Sequence, residues 1–167
     1  MAKVHIAFYL GKKSVNSETT IFDQMVCFFT RSEYSHLEYV NYYNCDTGKG
    51  VCWSSSPRDK GVRQAIISLD SGSWELYEVE TDTTKEEIVD WFEKHKGSKY
   101  DWIGAFATKL PLIRESIKRW FCSEAIGAAF KIPKPSTFTP QNVFDHFKVS
   151  AVRIHLCTIN TRLASIV

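Results

Sequence analysis

Hydrophobic positions follow two different periods along this chain. In the first half, apolar residues alternate or gather in short β-branched and aromatic runs, the period-two signature of strands. Val4–Leu10 is the first such run, closed by Gly11-Lys12-Lys13. Ser35–Tyr43, Val51–Ser55, Val62–Leu69 and Trp74–Glu80 follow. Asp46-Thr47-Gly48-Lys49-Gly50 is a hairpin turn, and Asp70-Ser71-Gly72-Ser73 is a second turn signal. One helix interrupts the strands: Ile21, Met25, Phe28 and Phe29 recur at helical spacing and predict an apolar face over Thr20–Thr30.

The second half shifts to helical spacing. Thr83 or Thr84 caps a helix that carries Ile88, Trp91 and Phe92 on one face and ends near Gly97. A short helix is expected over Tyr100–Lys109, before Pro111. Another opens at about Cys122, carries Ala125, Ile126, Ala128, Ala129 and Phe130, and stops before Pro133. After the proline-bearing loop Lys131–Thr139, Thr139-Pro140 sets a cap with proline at the first helical position for Gln141–Phe147. Ala151–Ile159 reads as a last strand. Strands first and helices later predict an α+β fold, an antiparallel sheet packed against helices. With no repeat, low-complexity tract or linker, residues 1–167 are expected to form one domain.

Composition narrows the function classes. A 44% hydrophobic, 14% aromatic chain of 167 residues can bury a real core. The net charge is +2 and the basic residues are scattered, so nucleic acid is not an expected partner. No apolar run approaches the ~20 residues of a membrane span. The Met1-Ala2-Lys3-Val4-His5-Ile6 start runs into a strand without a signal-peptide pattern, so a cytoplasmic protein with free thiols is expected. Cys27, Cys45, Cys52, Cys122 and Cys157 form no CxxC pair, which argues against a disulfide framework or zinc ribbon. No metal or cofactor is expected. Cys45 and Cys52 with a histidine lack the second pair that tetrahedral ligation needs.

Two segments could carry chemistry. In Tyr34-Ser35-His36-Leu37-Glu38, strand periodicity puts His36 and Glu38 on one face. In Trp120-Phe121-Cys122-Ser123-Glu124-Ala125, a cysteine sits where a loop becomes a helix. There the helix dipole favours thiolate, and unpaired amide N–H groups can serve an oxyanion. A cysteine nucleophile needs a base, and the base needs a third group to hold its tautomer. Pairing Cys122 with His146 or His155 instead leaves too little chain between them for a sheet. His5 and His95 have no evident partner.

The order of these segments resembles that of the circularly permuted NlpC-type papain-like proteins, a group with YiiX/YaeF-like and lecithin:retinol-acyltransferase-like branches. The likeness runs from about Val4 to Phe147. It rests on Tyr34-Ser35-His36-Leu37-Glu38-Tyr39-Val40, Gly61-Val62-Arg63, Gly97-Ser98-Lys99-Tyr100-Asp101-Trp102, Phe121-Cys122-Ser123-Glu124-Ala125 and the proline-rich loop before Thr139-Pro140. The chain is particularly similar to small proteins of tailed bacteriophages, which implies a host-cytoplasm setting. The resemblance implies a permuted papain-like cysteine hydrolase, with Cys122 as nucleophile and His36 as base. The substrate would be peptide- or acyl-bearing, cleaved at an amide, peptide, ester or thioester bond, and a host protein is among the candidates. Related proteins often carry a glutamate on the strand after the histidine. Here that strand reads Val51-Cys52-Trp53-Ser54-Ser55-Ser56, so Glu38 or Ser55 is the third member, or the triad is a dyad. Tyr100 and Ser123 are candidates for the oxyanion or substrate. Trp53, Tyr39, Tyr43 and Trp102 are candidates for an apolar cleft. The alternative class is a non-catalytic papain-like binding module, for example one that binds a host factor.

Overall fold

The computed structural model of the protein describes residues 1–11, 21–70, 72–101 and 119–154. Its elements run β1 (Ala2–Leu10), α1 (Ile21–Thr30), β2 (Tyr34–Asn44), β3 (Lys49–Ser56), β4 (Gly61–Ser68), β5 (Trp74–Thr81), α2 (Lys85–His95), β6 (Lys99–Tyr100), β7 (Arg119–Trp120), α3 (Cys122–Ala129), a 3-10 turn (Pro135–Thr137), α4 (Pro140–Phe147) and β8 (Val152–Ile154). This is an α+β architecture. One sheet takes the order β7-β6-β4-β3-β2-β1-β5-β8. It is mixed rather than antiparallel throughout, because β6 and β7 pair parallel while the other ladders are antiparallel.

The strand period divides residues between two faces. Val4, Ile6 and Phe8 of β1, Leu37 and Tyr39 of β2 and Trp53 of β3 pack against Ile88 and Phe92 of α2, Ile126 and Ala129 of α3 and Val143 and Phe147 of α4. The other face holds a smaller cluster of Ala7, Val40, Cys52, Leu69 and Leu76. Tyr39 and Trp53 therefore belong to the core rather than to an apolar cleft, and both rings stack on Phe92. Trp102 and the expected helix beyond Tyr100 lie outside the described residues. Lys99 and Tyr100 themselves are strand, not helix.

Local chemistry fixes the helix ends. The Thr84 hydroxyl accepts from the Glu87 N–H at 3.2 Å while Glu87 accepts from the Thr84 N–H at 2.9 Å, a reciprocal cap for α2. Thr139 caps α4 in the same way through Asn142, with Pro140 at the first position. In α1, Val26 and Cys27 are buried, whereas Phe28, expected on the apolar face, is exposed. Gly61 has a reason beyond flexibility: a Cβ there would lie 1.9 Å from the Ser98 carbonyl oxygen. That close approach lets β6 add to β4.

Candidate functional site

The site grows from β2 and its neighbours. His36 stands opposite Tyr9 of β1, Leu37 opposite Phe8 and Glu38 opposite Ala7. Alternation sends Leu37 to the helix side and His36 and Glu38 to the other. There the His36 Nε2 lies 2.8 Å from Glu38 Oε1. Arg63 of β4 reaches over β3 and clamps the same carboxylate with two bonds, of 2.7 Å to Oε2 and 2.6 Å to Oε1. Its cross-strand partner on β3 is Ser54, whose small side chain leaves the guanidinium room to cross. Arg63 Nε also donates to Asp59 at 2.7 Å.

Glu38 is fully buried. Burial alone would raise its pKa, but the Arg63 charge, the two Arg63 bonds and the His36 bond outweigh it and hold the carboxyl down at about 2. The same carboxylate raises the pKa of Arg63 against the opposing effect of burial. An ionised carboxylate only accepts hydrogen bonds, so His36 Nε2 must carry the proton. That tautomer leaves Nδ1 as the basic nitrogen, and Nδ1 makes no hydrogen bond among the described residues.

Cys122 opens α3 and is fully buried, in the helix-side core with Leu37 and Tyr39. Small residues at Ala125, Gly127 and Ala129 let this helix sit close to its neighbours. Its N-cap residue, Phe121, has no side-chain oxygen to offer. Glu124 supplies half of a cap by accepting from the Phe121 N–H at 3.1 Å. Burial pushes the Cys122 thiol pKa up, more than the backbone N–H groups of Leu37 and Ser123 lower it. The thiol thus touches β2 at the residue between the two cleft side chains. No hydrogen bond joins it to His36 among the described residues.

The remaining candidates separate. Ser55 donates to the Trp120 carbonyl at 2.7 Å, so its hydroxyl is engaged away from the imidazole. Ser123 donates to the Phe138 carbonyl. Tyr100 is buried, packs its ring 5.9 Å from Phe121 and lines the cleft; burial raises its phenol pKa. His95 bonds the Trp91 carbonyl at 2.7 Å and stacks on that indole, and His5 lies 3.8 Å from Glu78. His146 packs against Phe147, and His155 lies outside the described residues. No metal-binding cluster of His, Cys, Asp or Glu occurs among the described residues. Cys27, Cys52 and Cys122 are free, whereas Cys45 is disulfide-bonded, contrary to the expectation of free thiols.

A cleft of about 390 Å³ runs over the imidazole side of the sheet. Its lining combines Asp23, Ser35, His36, Glu38, Asp59 and Arg63 with Tyr9, Ala65, Ile66, Ile67 and Trp74. Arg63, Asp59, Tyr9 and Trp74 were not singled out as site residues by the sequence. The signals for Arg63 were its place in the otherwise uncharged run Val62–Leu69 and in the Gly61-Val62-Arg63 likeness. No protein-family model matches the chain, and no curated protein matches it in sequence.

Proposed function

We propose that the protein is a cysteine hydrolase with a permuted papain-like arrangement, acting on an amide or peptide bond or on the related ester or thioester. The observation that carries this reading is the 2.8 Å His36–Glu38 pair, which leaves Nδ1 as a free base on the residue preceding Leu37, whose N–H meets Cys122. In the proposed cycle His36 Nδ1 takes the Cys122 proton and the thiolate forms a C–S bond to the substrate carbonyl. The carbonyl π electrons move onto oxygen, where N–H groups of the first turn of α3 can receive them. Collapse breaks the C–N or C–O bond, and the leaving group takes the proton from His36. Water, deprotonated by His36, then cleaves the thioester and restores the thiol. The first step requires the thiol and the imidazole, which lie on opposite faces of β2, to come within reach of each other. A cytoplasmic setting, in a phage-infected host, is part of the proposal. The disulfide at Cys45 is the feature that opposes it.

A second reading is favoured by one observation, the fully buried thiol with its raised pKa. It makes the chain a non-catalytic binding module whose cleft holds a peptide or acyl ligand. Iodoacetamide labelling followed by mass spectrometry, from about pH 5 to about pH 9, separates the two. A hydrolase should label at Cys122 in mildly acidic buffer, more slowly in His36→Ala and Glu38→Gln. Labelling that ignores His36 and rises only with ordinary thiol ionisation would sink the hydrolase reading.

A further inference from the structure

Across three adjacent strands, His36 of β2, Tyr9 of β1 and Trp74 of β5 stand in one row, since Tyr9 is the register partner of both others. Cross-strand partners share a face, and all three line the cleft. The Tyr9 ring meets Trp74 edge-on at 5.0 Å, and Trp74 lies 6.2 Å from the imidazole. Tyr9 is 6% exposed, and its hydroxyl is buried with no hydrogen-bond partner among the described residues. Phenylalanine would fill the same space without stranding a polar atom. An orphaned hydroxyl in a ligand-sized cleft, next to a candidate base, suits a ligand as its partner.

We propose that the Tyr9 hydroxyl is a substrate contact: it donates a hydrogen bond to a carbonyl of an uncharged amide that lies along Trp74, next to His36. This rests on the reading of the cleft as the substrate site and adds to it a peptide-like substrate class and a positioning residue. The donor suits a carbonyl, the indole offers a flat apolar wall to the amide plane, and Ala65, Ile66 and Ile67 add apolar lining. Tyr9 acts in binding rather than in bond cleavage, so in turnover its loss should appear in KM and leave kcat nearly unchanged.

The test is a titration of full-length Cys122→Ala protein with N-acetyl-alanine methylamide, followed by NMR at the Trp74 indole N–H and the His36 ring. The variant removes the thiol, so the outcome does not depend on whether Cys122 is a nucleophile. Saturable shifts at both residues are expected, with Tyr9→Phe weakening the affinity at least about fivefold, the worth of one neutral hydrogen bond. The thermal midpoint of Tyr9→Phe should be unchanged or higher, because the substitution removes an unsatisfied group. The proposal is overturned by an absence of shifts up to the solubility of the probe, by equal affinity in Tyr9→Phe, or by a clear loss of stability in that variant. Overturned while Cys122 still labels through His36, it leaves the hydrolase standing; upheld while Cys122 stays inert, it leaves a peptide-binding cleft without catalysis.

Discussion

The two faces of β2 bury ionisable groups to the same depth and with opposite results. Glu38 and Cys122 are both fully removed from solvent. On one face Arg63 sits against the carboxylate and the buried group stays charged. On the other face the thiol receives only backbone N–H groups and stays neutral. Depth of burial sets the cost of a charge, and the partner decides whether the charge survives it.

The largest way to break this contrast is Arg63→Met. It leaves Glu38 buried with only the His36 bond to hold its charge, and should cost about 3–5 kcal/mol in urea unfolding. Adding Glu38→Gln to it should recover most of that loss, because the stranded charge is then gone. Next in size is the acid response. The Glu38 pKa lies near 2 in the fold against an ordinary 4.5, so its ionisation stabilises the protein above pH 4.5. That contribution, on the order of 3 kcal/mol, should fall away between about pH 4.5 and about pH 2. Urea midpoints measured across this window should drop for the wild type and flatten for Glu38→Gln. Cys122→Ala should cost about 1–3 kcal/mol by leaving the Leu37 N–H unpaired, and Cys122→Ser should cost less. Neither should alter the acid window, which belongs to the opposite face. The smallest effect tests the joint between the faces. Ser54 donates to the Leu37 carbonyl at 2.8 Å, and Ser54→Ala should lose about 1 kcal/mol in thermal unfolding.

What the sequence revealed follows from range. His36 and Glu38 are two residues apart, and strand periodicity alone places them together, as the 2.8 Å contact shows. The caps of α2 and α4 were readable for the same reason, since Thr84–Glu87 and Thr139–Asn142 are local. Arg63 was not readable as a site residue, because its role depends on β4 standing two strands from β2 in the right register. Ser55 stood as the alternative to Glu38 as a partner for the imidazole, and its hydroxyl is instead on the Trp120 carbonyl. The two-residue strands β6 and β7 are too short to show any period, and with them the parallel pair escaped notice. The depth of Cys122 was also hidden. A cysteine at a helix start reads the same whether the helix lies open or is pressed against a sheet.

The strand order also sets a schedule. β2, β3 and β4 pair as consecutive hairpins, so Glu38 and Arg63 can meet once β4 has left the ribosome. β1, made before these three, must wait for β5 before its second edge is covered, and α3 arrives later still. Long-range closures of this kind slow folding. A nascent chain should therefore acquire its imidazole–carboxylate–guanidinium cluster before α3 docks Cys122 against β2.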